Sequence, residues 1–103
     1  MKLNLTNAEM GAMWSFLDAI TTQLKAGEND AEILLYKCLF DYMDYEVKKL
    51  YLKNKPHYKF TLKPEWALAF WAYVNPQLDD IKDPHLNNLL LTICNNIHKK
   101  YLT

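Results

Sequence analysis

The 103-residue sequence predicts an all-α fold: a compact four-helix domain with a minimal two-stranded β-ribbon joining residues 3–5 to residues 58–62. Three observations carry that expectation. Four segments space their apolar residues by three and four, the period of one helix face. Helix-start chemistry precedes each of them. Only two Gly and four Pro occur, which leaves little material for β-turns.

The elements follow in chain order. Leu3-Asn4-Leu5 alternates as a short strand does. Thr6 and Glu9 stand at capping-box spacing, and Met10, Met13, Trp14, Leu17, Ile20 and Leu24 then form one apolar stripe. Ser15, Asp18 and Thr22 fall on the opposite side, and Gly27 supplies the stop. Asn29 and Glu32 repeat the capping-box spacing at the start of a second helix, expected to reach about Lys53. Its seam is Ile33, Tyr36, Phe40, Met43, Val47 and Leu50. A further set, Leu34, Leu35, Cys38, Leu39, Tyr42 and Tyr45, makes its first half apolar around most of the circumference.

Pro56 ends that helix, because a residue before proline is pushed out of the α region. Tyr58 to Leu62 alternates as a second strand, with Tyr58, Phe60 and Leu62 facing inward together. Pro64 and Glu65 open a third helix carrying Trp66, Leu68, Phe70, Trp71, Tyr73 and Val74. Asn75-Pro76 breaks it, and a turn through Leu78 and Ile81 follows. Asp83 and Pro84 start the fourth helix, whose stripe is Leu86, Leu89, Leu90, Ile93, Cys94, Ile97 and Tyr101. Residues 3–10 resemble residues 60–66 faintly, each an extended segment followed by a helix start. So short a match falls well below a clear repeat.

Length and composition fit one domain over residues 1–103. Half of the residues are apolar and 14% aromatic, too rich for intrinsic disorder. No apolar run reaches membrane-spanning length and no signal peptide is visible at the start, so no membrane association is expected. Cys38 and Cys94 sit in apolar runs and read as buried, reduced core thiols, which points to the cytoplasm.

The constellations that carry chemistry are weak. Cys94 and His98 lie at i,i+4, but two ligands do not make a metal site. Asp41 and Asp44 are one turn apart, yet Lys37 and Lys48 stand four residues away and mark a solvated salt-bridge face. His57 has no placed nucleophile beside it, and Gly11 and Gly27 cannot build a phosphate loop. No cofactor, metal or enzymatic activity is expected.

Charge is uneven. Residues 1–47 hold three lysines and eight acids, whereas residues 48–63 hold six lysines and no acid. Those six are Lys48, Lys49, Lys53, Lys55, Lys59 and Lys63, interleaved with Tyr51, Tyr58 and Phe60. Lysines among aromatics suit single-stranded nucleic acid or another polyanion. Against this, the whole chain is neutral, all twelve basic residues are lysine, and inward aromatics cannot stack on bases.

Surplus apolar surface favours a different class, a small non-enzymatic interaction or assembly protein of bacterial or mobile-element type, acting as a homodimer or with another protein. The expected interface is Leu35, Leu39 and Tyr42 on the second helix, or Trp66 and Trp71 on the third. The polyanion-binding regulator is the alternative.

Overall fold

The computed structural model describes residues 1–25 and 30–103. Among them the elements are β1 (Lys2–Thr6), α1 (Asn7–Lys25), α2 (Ala31–Tyr51), β2 (His57–Thr61), α3 (Pro64–Val74), a 3₁₀ helix η1 (Asn75–Asp80) and α4 (Pro84–Tyr101). The fold is the expected one, four α-helices and one two-stranded antiparallel ribbon among the described residues. The stop expected at Gly27 and the capping box expected at Asn29 lie outside the described residues. The chain divides into two compact units, one of residues 2–62 and one of Met1 with residues 63–103.

In the first unit Thr6 serves two elements. It is the last residue of β1, and its hydroxyl accepts from the Glu9 amide at 3.1 Å while its own amide donates to Glu9 Oε1 at 2.9 Å. That reciprocal pair satisfies two amides at the helix start. Met10, Met13, Leu17, Ile20 and Leu24 then line one buried face of α1, with Trp14 half-buried beside them. Thr21, the buried polar residue of this face, donates its hydroxyl to the Asp18 carbonyl at 3.0 Å. α2 starts on Asp30, whose extended backbone (φ −83°, ψ 138°) lets its carboxylate accept from the Glu32 amide at 2.8 Å. It packs along α1 and buries Phe40, Met43 and Val47.

After α2 the chain turns through Asn54, whose φ of 50° lies in the left-handed region that Asn tolerates best after Gly. β2 then runs antiparallel to β1, pairing Leu3 with Phe60, Leu5 with Tyr58 and Thr6 with His57. β1 extends one residue beyond the alternation at each end, and β2 is shifted one residue earlier, starting at His57 and ending at Thr61. Leu3, Leu5, Tyr58 and Phe60 are buried on the inner face, as the period of two requires. The ribbon lies against α1 and α2.

The Tyr58 hydroxyl ties this unit together. It accepts from the Lys55 amide at 2.7 Å and the Asn7 side-chain amide at 3.3 Å, and donates to the Tyr51 carbonyl at 3.2 Å. Its one proton and both lone pairs are therefore used. Asn7 also donates to the carbonyls of Lys55 and, through its backbone, Pro56, at 3.0 Å each. The Tyr51 ring stacks obliquely on Trp14 at 5.6 Å and on Tyr58 at 6.4 Å. Gly11 makes room for it, since a Cβ there would stand 3.0 Å from the Tyr51 hydroxyl.

In the second unit Pro64 occupies the first turn of α3, and Trp66, Ala67, Ala69, Phe70 and Val74 are buried. η1 follows directly, with Leu78 buried. The Asn87 side chain donates to the carbonyls of Leu78 at 2.6 Å and Ile81 at 3.3 Å, joining the end of η1 to α4. Asp83 caps α4 through the His85 and Leu86 amides at 3.0 and 3.4 Å, with Pro84 in the first turn. Leu89, Leu90, Ile93, Cys94 and Ile97 form its buried stripe.

Candidate interaction surface on helix α2

Helix α2 is buried along one narrow line. Phe40, Met43 and Val47 are spaced by three and four and meet α1. At about 100° per residue, the line through Leu35, Cys38, Tyr42 and Tyr45 lies roughly 160° around the helix from them. These side chains are exposed: Leu35 by 57%, Tyr42 by 65% and Tyr45 by 61%, with Leu34 at 45% on their flank and Leu52 at 74% beyond. No residue from Ala31 to Leu39 is buried. Cys38, Asp41, Tyr42 and Tyr45 line a shallow, open and mainly apolar groove. The two-sided apolar pattern of α2 thus reflects one face used inside the unit and one left to solvent.

The interface residues expected from sequence separate accordingly. Leu35 and Tyr42 are exposed and Leu39 is half-buried. Trp66 instead is buried, 7% exposed, with the Lys63 ammonium 4.8 Å from its ring centre. Trp71 is half-buried, its ring 6.0 Å from that of His98. The apolar circumference of α3 is largely absorbed within the chain, and Leu68 is its exposed large hydrophobic residue.

Cys94 is buried and free, as expected, and burial pushes its thiol up to about 11. Cys38 corrects the expectation: it is free but exposed, because it lies on the outer line of α2 rather than the inner one. In the dilute native chain one thiol should therefore react rapidly with a maleimide and one slowly. Cys38→Ser should remove the rapid phase, and denaturation should make Cys94 rapid. Rapid native labelling of Cys94 would contradict its burial.

The lysine-rich segment behaves differently from a stacking platform. Lys48, Lys49, Lys53, Lys55, Lys59 and Lys63 are all exposed, but Tyr58 and Phe60 are buried under the ribbon and have no free ring face for a base. Lys49 leans on its own helix, 3.5 Å from Glu46 and 5.4 Å from the Tyr45 ring centre. Lys63 belongs to the other compact unit and covers Trp66. His57 is exposed on the ribbon, and His98 is exposed one turn beyond buried Cys94. Among the described residues no three or more His, Cys, Asp or Glu side chains group as metal ligands would, and no helix is long and apolar enough to cross a membrane.

No protein-family model, no curated protein and no solved structure matches the chain.

Proposed function

We propose that this chain is a non-enzymatic interaction protein that self-associates through the outer face of α2. The observation that supports this reading is the line of exposed apolar side chains, Leu35, Cys38, Tyr42 and Tyr45, with Leu34 beside it. Contiguous apolar surface of this kind, rimmed by charge, is what partner surfaces present to water. Two free cysteines, one of them exposed, suit a reducing compartment, and a cytoplasmic location belongs to the same proposal.

Sedimentation equilibrium at micromolar concentration tests it. The wild type should sediment as a dimer, and Leu35→Glu or Tyr42→Glu should sediment as a monomer with an unchanged helical circular-dichroism spectrum. A wild type that stays monomeric across that range would remove self-association.

A further inference from the structure

Given self-association through α2, we infer its geometry: two copies pair antiparallel, in the register that sets Tyr42 of each chain against Tyr45 of the other. The outer line extends as Leu35, Cys38, Tyr42, Tyr45, Lys49 and Leu52, with steps of three, four, three, four and three. That is the spacing of a two-stranded coiled-coil seam. Lys49 is its one charged member, and its ammonium stands 5.4 Å from the Tyr45 ring centre.

Charge on the two flanks chooses the direction. One flank holds Leu34, Asp41 and Lys48, the residues just before Leu35, Tyr42 and Lys49. The other holds Leu39 and Glu46, just after Cys38 and Tyr45, and Lys53 follows Leu52 just past the end of the helix. In a parallel, in-register pair the flanks cross over. Asp41 then meets the partner's Glu46, like charge on like charge, and Lys48 approaches the partner's Lys53 just past the end of α2. In an antiparallel pair each flank meets itself. Centred between Tyr42 and Tyr45, the pair sets Asp41 against the partner's Lys48, twice by symmetry. It also sets Leu35 against the partner's Leu52, and Cys38 against the partner's Lys49.

The neighbouring antiparallel registers fail by the same rule. Sliding the centre to between Cys38 and Tyr42 brings Asp41 onto the partner's Asp41. Sliding it to between Tyr45 and Lys49 brings Lys48 onto the partner's Lys48. One register of the three opposes unlike charges across the two-fold axis. Opposed helix dipoles favour the same direction.

Two sets of full-length variants test this. A short bis-maleimide cross-linker should give no covalent dimer with the wild type, whose two Cys38 thiols are far apart in this register. It should give one with Lys49→Cys, through Cys38 and the partner's new thiol, and none with Lys49→Cys combined with Cys38→Ser. In sedimentation, Asp41→Lys should weaken the dimer, and adding Lys48→Asp to the same chain should restore it. A wild-type Cys38 cross-link would establish either parallel pairing or the register centred between Cys38 and Tyr42, and a dimer strengthened by Asp41→Lys would establish parallel pairing; each result overturns the inference. A dimer in sedimentation with no cross-link in any variant would overturn it too, while leaving self-association in place. A monomeric wild type would remove both.

Discussion

Phe40→Ala should lower folding stability by about 3–5 kcal/mol, the usual cost of emptying a buried aromatic site. Phe40 is fully buried and is the first buried residue along α2, with Met43 and Val47 continuing its line. Met10, Met13 and Leu17 on α1 are equally sealed. The turns of α2 before it bury no residue fully, with Ile33, Tyr36 and Leu39 half-buried there, so Phe40 is the first fully sealed anchor of the helix. Urea denaturation followed by circular dichroism measures the change. Tyr42→Ala, two residues on and on the opposite face, supplies the contrast. At concentrations below dimerisation it should stay within about 0.5 kcal/mol of the wild type. A cost below about 1 kcal/mol for Phe40→Ala would mean that α2 is held to α1 by something other than this line of side chains.

Tyr58→Phe should cost about 1–3 kcal/mol although it removes a single oxygen. The ring stays buried beside Tyr51, so packing is preserved and the loss isolates the hydrogen bonds. Without the hydroxyl, the Lys55 amide, the Asn7 side chain and the Tyr51 carbonyl each lose a partner. The Tyr51 carbonyl keeps the Asn54 amide and the Asn7 side chain keeps the Lys55 carbonyl, so the Lys55 amide left unmet accounts for most of the cost. The effect should also be local. Hydrogen exchange at Lys55 should accelerate far more than exchange in the middle of α1. A neutral substitution with unchanged exchange would show that solvent replaces the hydroxyl at no cost.

How far the sequence foretells this molecule depends on the range of the interaction involved. Thr6 with Glu9, and Asp83 with Pro84, are local signals that carry their own geometry, and both caps form where the spacing places them. The alternation of Tyr58, Phe60 and Leu62 likewise fixes which face of β2 is buried. Asp30 is the cap of α2 because its backbone torsions, which composition does not specify, aim its carboxylate at the Glu32 amide. Cys38 is harder still. Its segment is apolar on both sides of the helix, and only the position of α1 decides that Phe40 turns inward and Cys38 outward. The same ambiguity makes Trp66 a candidate for the interface from sequence, although it is buried. Met13, Leu17, Phe40 and Met43 are buried in the first unit, while Leu90 and Ile93 are buried in the second. No Pro- or Gly-rich linker marks the division between Leu62 and Lys63. The Tyr58 hydroxyl and the space above Gly11 are met by residues distant in sequence, for which no local pattern exists.

The pairing of Thr6 with His57 bears on the order of events in folding. These two residues bracket both α1 and α2, so the ribbon closes a loop that holds most of its unit. Loop closure of that length costs entropy before any strand pair repays it, whereas turns of helix form within microseconds from neighbours in the chain. A ribbon of two strands is also all edge, and too small to persist without the helices beneath it. The ribbon is therefore expected to zip after α1 and α2 have met.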